Sequence, residues 1–261
     1  MSTDRRREAR ARFVEVHGAW DEAWDLVLEI DPDFVEAYAE MRAVPERGGH
    51  LSPRFRALVL LAVDTAATHL HHPALMPRLR HALSVGASPE EIVEVLELTA
   101  TVGIHAMNIG VPLLVEVLEE RGRVGPAPLD EHQERLREEF VRTRGYWHEF
   151  WNEMLELDPA MFAAYVRFSA VPWRTGPLSP VEKELIYISY DIAATHLYVP
   201  GTKLHIRNAL DHGATVGQVL EVMELASMLG VQSVTTTAPL LAQELRQHGD
   251  DGRNASAPSP N

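Results

Sequence analysis

Cysteine is absent from all 261 residues. That excludes disulfides, thiolate nucleophiles, Cys-x-x-Cys redox centres and cysteine-ligated zinc. Positive charge is scarce: 24 Lys and Arg stand against 38 Asp and Glu, for a formal net charge of −14. Nucleic acids and anionic membranes both require a basic face, so neither is an expected partner. No uninterrupted apolar run approaches the ~20 residues of a membrane span. The opening segment, MSTDRRREARARF, has no apolar stretch of the kind a secretory signal needs. A cytoplasmic location is therefore the expectation. Strand-like alternation of polar and apolar residues is also missing. Hydrophobic residues still make up 46% of the chain, enough for a sizeable core.

What is present is a repeat. The stretch DTAATHL, Asp64 to Leu70, returns as DIAATHL, Asp191 to Leu197. The offset of 127 residues holds over most of the chain. It carries Leu51 of an LSP triplet onto Leu178, Trp20 and Trp24 onto Trp147 and Trp151, Gly86 onto Gly213, and Pro112 onto Pro239. A period this long indicates two copies of one domain rather than a solenoid. The expected division is a first helical repeat over residues 1–121, a Gly/Pro-rich linker over 122–131, a second repeat over 132–248 and a disordered polar tail over 249–261.

Each copy reads as wholly helical, with five or six helices. Asp31-Pro32 and Asp158-Pro159 are N-cap and first-turn proline pairs. Capping boxes begin at Ser88, Ser179 and Thr215. Gly86 and Gly213 suit helix C-termini.

The segment from Leu178 to Leu241 resembles the carboxymuconolactone decarboxylase family, which includes the alkylhydroperoxidase D type. The pieces that carry the resemblance are EKELIYISYD, LYVPG, KLHIRNAL, HGAT and VGQVLEVMELA. The first copy answers with RFRALVLLAVD, LHHPA, PRLRHAL, VGAS and PEEIVEVLELT. Peroxidase members carry a Cys-x-x-Cys pair where this chain has Tyr198 and Gly201, so thiol peroxidase chemistry is excluded. The resemblance implies an all-α tandem duplication packed as an intramolecular pseudo-dimer. It also implies chemistry without metal or organic cofactor, and a homo-oligomer, a trimer of two-repeat chains.

Residue by residue, the resemblance marks Glu184 and His205 as the catalytic acid and base. A helix running from Ser179 to about Leu197 would align Glu184, Asp191 and Thr195 within ~20° of one line. Such a polar stripe between apolar flanks faces either solvent or a cavity. The first copy holds Ala57 and Arg78 at the positions of Glu184 and His205, so one working site per chain is expected, in the second copy. Arg78 is a candidate holder of a substrate carboxylate, since a guanidinium matches it bidentately. His69, His196, Thr195, Asp191 and Tyr198 complete the candidate substrate-binding set. Asp64 and Asp191 recur in both copies, including the one that lacks the Glu–His pair, which favours a structural role such as an inter-helix hydrogen bond over substrate contact, with Thr68 and Thr195 bonding back to a helix carbonyl or to the aspartate. His105 and Asn108 match Gln232 and Thr235 as polar positions in apolar helices, and suit either buried hydrogen bonding or substrate contact. The cluster His69, His71 and His72 invites a metal, but the second copy does not repeat it.

Two functions follow as expectations. One is a lyase or isomerase that decarboxylates, or shifts a proton on, a small carboxylated lactone or enone acid. The other is a non-catalytic ligand-binding or assembly protein on the same scaffold.

Overall fold

The computed structural model describes residues 3–123 and 125–254. The first repeat contains α1 (Thr3–His17), α2 (Asp25–Ile30), α3 (Pro32–Gly48), α4 (Pro53–Thr65), α5 (His72–Ser84), α6 (Pro89–Ala100) and α7 (His105–Glu120). The second contains α8 (Glu131–Arg144), α9 (Phe150–Leu157), α10 (Pro159–Ser169), α11 (Val171–Thr175), α12 (Pro180–Asp191), α13 (Val199–Asp211), α14 (Val216–Ser227) and α15 (Gln232–Asn254). Short 3-10 turns precede α2 and join α6 to α7 and α14 to α15. The described residues form no strand. Each repeat thus has more helices than the five or six expected. The extra helix of the second copy arises at a proline: Pro45 sits inside α3, while its counterpart Pro172 opens α11.

Capping fixes the starts. Asp31 and Asp158 accept from the backbone N–H groups of Phe34 and Met161, with proline in the first turn. The boxes at Ser88, Ser179 and Thr215 are all closed. The segment between the repeats ends where Asp130 caps α8. At the other end, α15 continues to Asn254, into the segment expected to be disordered. The remainder of that segment, 255–261, lies outside the described residues.

One core serves both copies. Helices α4 and α12 pack on one another, and each also meets α6 and α14. Leu58, Leu61, Leu185, Ile186 and Ile188 are completely or almost completely buried there. Each such side chain stabilises the fold by about 1.5–3 kcal/mol relative to exposure.

The repeats also exchange their outer layers. Phe13, Trp24 and Tyr38 of the first copy pack with Val231 and Val234 of the second. Phe140, Trp151 and Phe162 of the second pack with Ile104 and Met107 of the first. Trp20 and Trp147 make matching indole bonds to Asp25 and Asn152. The tryptophan pairs are therefore aromatic core that ties the two copies together.

Two symmetry-related clamps close the interface. Glu221 accepts from the backbone of His50 and Leu51 and from Arg56. Its counterpart Glu94 accepts from the backbone of Leu178 at 2.7 Å and pairs with Lys183 at 2.5 Å.

The repeated heptad ends a helix and turns the chain. Helix α12 stops at Asp191, short of the expected Leu197. The Ala193 carbonyl accepts from both His196 and Leu197. Leu197 takes φ 51°, and Leu70 at the matching position takes φ 39°. A left-handed non-glycine residue costs about 1–3 kcal/mol, and both copies bear that cost at the same leucine. The backbone then returns: Tyr198 N–H donates to the Asp191 carbonyl at 2.8 Å, as His71 does to that of Asp64 at 2.9 Å. Helical periodicity therefore does not reach Thr195, which is exposed, as is Thr68. The back-bonding expected of these threonines is made instead by Thr65, to Leu61.

Counted through their 3-10 turns, Pro89–Glu120 and Val216–His248 are two helical stretches long and apolar enough to cross a membrane by length and composition alone. No uninterrupted apolar run revealed them in the sequence. Much of the apolar surface of the first is buried inside the protein. Leu113 and Leu114 on α7, and their counterparts Leu240 and Leu241 on α15, are exposed.

Candidate active site

Helices α12 and α13 pack against one another, and they bring Glu184 and His205 together. Glu184 Oε2 lies 2.6 Å from His205 Nδ1. Asn208, one turn along α13, donates to the other Glu184 oxygen at 3.3 Å. Glu184 is buried in spite of its polarity. Tyr187, one turn after Glu184, stacks on the His205 ring at 4.4 Å. Trp173 on α11 donates its indole N–H to the Tyr187 hydroxyl at 3.2 Å. The imidazole is thus held between a carboxylate and an aromatic face, with its orientation set by packing.

This pair borders a small cavity of about 40 Å3, room for roughly three water molecules. Its roof is aromatic and comes from the leading helices of the second repeat: Tyr146, Phe150, Trp151 and Tyr165. Trp147 is not in the lining. The far wall comes from the first repeat, where Thr101, Ile104, His105 and Asn108 face in. The site is therefore composite, built from both copies. Thr101, Ile104 and Tyr165 also line an adjoining groove of about 300 Å3, whose other walls include Met161 and Phe168. That groove gives the cavity an apolar neighbour.

Next to the Glu184–His205 pair sits a second polar group. His105 Nδ1 lies 2.7 Å from His196 Nε2, and the two rings are nearly parallel. Tyr198 stacks on His105 at 3.8 Å and is within hydrogen-bonding reach of Asn108. Burial pushes His105 down to about 3, with His196 and His205 adding to the effect, so its imidazole is neutral. Burial also lowers His196. Asp191 is wholly buried, and neither of its carboxylate oxygens has a hydrogen-bond partner. Burial raises its pKa to about 7, against an opposing pull from His205. Gly201 lies directly against it: a Cβ there would stand 2.4 Å from Asp191 Oδ2.

The equivalent place in the first repeat has been filled in. Asp64 accepts from Arg78 Nε at 2.7 Å and from Gln232 Nε2 at 2.5 Å. Gln232 also bonds His69 at 2.6 Å. Arg78 and His69, expected to hold substrate, are thus occupied with Asp64 and Gln232 and lie outside the lining of the cavity. Their sequence positions match those of His205 and His196, but the repeat places them at the other end of the pseudo-twofold. Thr195 is exposed and takes no part. The structural role considered for both aspartates fits Asp64; Asp191 makes no such bond. Of the candidate set, Glu184, His205 and Tyr198 line the cavity, with Asp191 and His196 immediately behind His105. His105 and Asn108 belong to the site although the sequence left their role open. The signal for them was the polar pair His105/Gln232 at the start of otherwise apolar helices.

Comparison with known proteins now decides the family. The sequence profile of the carboxymuconolactone decarboxylase family matches residues 159–244, all within the second repeat. A solved structure from Burkholderia xenovorans LB400, named a "putative gamma-carboxymuconolactone decarboxylase subunit", is 49% identical. It aligns with a TM-score of 0.88 over 93% of this chain and 98% of its own. The chain belongs to the carboxymuconolactone decarboxylase family. No match was found among curated proteins. The copy that the profile matches is the one that carries Glu184 and His205. The copy outside the matched range has alanine and arginine at the two positions.

Proposed function

We propose that this protein is a lyase or isomerase whose proton-transfer site is the Glu184–His205 pair, acting on a small carboxylated lactone or enone acid. The observation that carries the reading is the 2.6 Å contact between a buried carboxylate and an imidazole, at the edge of a cavity. Membership of the decarboxylase family favours carbon–carbon cleavage. In that reaction the substrate carboxyl group departs as carbon dioxide, its bonding electrons pass into an enolate, and the pair delivers a proton to carbon. In the isomerase version the pair removes a proton from one carbon and returns it at another. Neither version consumes an oxidant. General acid–base catalysis of this kind contributes about 100- to 10,000-fold.

A cavity of about 40 Å3 is smaller than such a substrate. The reading therefore requires the roof of Tyr146, Phe150 and Trp151 to move aside on binding. The adjoining apolar groove offers space for the substrate's carbon skeleton. We also propose that chains associate, as a trimer, through the exposed leucines of α7 and α15. Light scattering at the mass of one chain would overturn that part.

The test of the reaction is proton NMR in heavy water with a panel of carboxylated lactones and unsaturated keto acids. Loss of a carboxyl group, or deuterium appearing beside a carbonyl, is the expected result. Inertness across the panel, together with tight binding of one of its members, would favour the ligand-binding alternative.

A further inference from the structure

Both polar centres of this molecule are built around one repeated aspartate, and they solve its burial differently. At Asp64 the solution is visible: Arg78 and Gln232 donate to both oxygens. At Asp191 both solutions are withdrawn. His205, in the place of Arg78, is turned to Glu184. His105, in the place of Gln232, is bonded to His196 instead. Two oxygens of a completely buried carboxyl group are left without a partner. A buried carboxyl group without hydrogen bonds is costly. A cation held against it would relieve that cost.

The neighbours identify what that is. One ligand atom from each of His105, Asp191 and His196 lies within 4.8 Å of the others. Two imidazoles and a carboxylate, converging from α7, the end of α12 and the turn after it, make a donor set suited to a divalent transition ion. Metal–nitrogen bonds of about 2.0–2.1 Å put two donors about 3–3.4 Å apart, so the imidazole nitrogens, now 2.7 Å apart, must separate and the Asp191 oxygen, now 3.9 Å from His105 Nδ1, must close in, each by roughly half an ångström. Tyr198 stacked on His105 supplies the outer contact that holds such a ring in orientation. Gly201, with no Cβ, lets the backbone of α13 approach Asp191 and Tyr198 closely.

We propose that His105, Asp191 and His196 bind a divalent transition-metal ion, of the zinc or iron(II) type, across the boundary between the two repeats. The ion supplies the positive charge that Arg78 supplies to Asp64. It also joins the copies at the wall of the cavity. The binding claim stands without any reaction. Only the ion's use, as the electrophile facing an enolate oxygen, rests on the function proposed above.

The test uses full-length protein without an affinity tag, stripped with a chelator and titrated with cobalt(II) or zinc. Visible d–d absorption follows cobalt, and calorimetry follows both. One equivalent per chain is expected, with an increase in melting temperature. Asp191→Asn and His105→Gln, the latter placing in this site the residue its counterpart uses, should each weaken binding by about 100-fold or more. Asp191→Asn removes an unpaired charge and should melt no lower than the metal-free parent, so loss of binding is separable from loss of fold. The paired change His71→Ala and His72→Ala should leave binding as it was. No binding by the parent protein would overturn the site. So would binding that survives Asp191→Asn and is lost with His71 and His72. Activity is not read in this experiment, so its failure leaves the Glu184–His205 reading intact.

Discussion

Lys183 of the second repeat pairs with Glu94 of the first at 2.5 Å, and both side chains are buried. Glu94 simultaneously accepts from the Leu178 backbone, at the N-terminal approach to α12. This contact fixes the helix that carries Glu184. Lys183→Met leaves the Glu94 charge buried and half-paired, and should destabilise the fold by about 3–5 kcal/mol. Arg56→Met, at the more exposed mirror position, should cost less. Urea denaturation of the two variants measures the difference.

The fold was legible in the sequence because the repeat, the caps and the apolar periodicity all agree. The Glu184–His205 pair was legible from the resemblance. The sequence left open which copy each polar pair serves. His105 reaches the second copy's site and Gln232 the first's, and the linear pattern marks the pair without encoding that exchange. The polar stripe failed at Thr195 for a local reason: a left-handed Leu197 ends helical geometry before the threonine is reached. Arg78 is paired with the buried Asp64 carboxylate in this structure, a partner that the sequence did not assign to it.

Gly201 is a position of close backbone approach. An added Cβ would meet Asp191 Oδ2 at 2.4 Å and the Tyr198 ring at 2.5 Å. Gly201→Ala gains helix propensity worth about 1 kcal/mol, yet should displace both side chains. The expected outcome is a folded protein with altered near-ultraviolet dichroism, impaired cobalt binding and reduced turnover. The first repeat already has Ala74 at this position, beside an aspartate that no longer needs the space.

His17 supplies a pH dependence away from the site. It stacks on Phe13 at 4.0 Å, its Nε2 has no partner, and burial lowers its pKa from 6.5 to about 4, with Arg42 and Arg78 acting in the same direction. Between those values the unfolded chain binds a proton that the folded chain refuses. Stability should therefore fall as pH drops from about 6.5 to about 4, by at most about 3 kcal/mol given the ring's partial exposure. His17→Phe should flatten that part of the profile. Urea midpoints at several pH values check it.

The central claim is that each chain has one proton-transfer site, in the second repeat, while the first repeat's counterpart is structural. Two isosteric changes test it side by side: Glu184→Gln and Asp64→Asn. The measurement is kcat/KM for decarboxylation or solvent-deuterium exchange on a substrate found in the panel. The account predicts a loss of about 100-fold or more for Glu184→Gln, and a rate close to wild type for Asp64→Asn. Retained activity in Glu184→Gln, with the loss falling on Asp64→Asn, would contradict it.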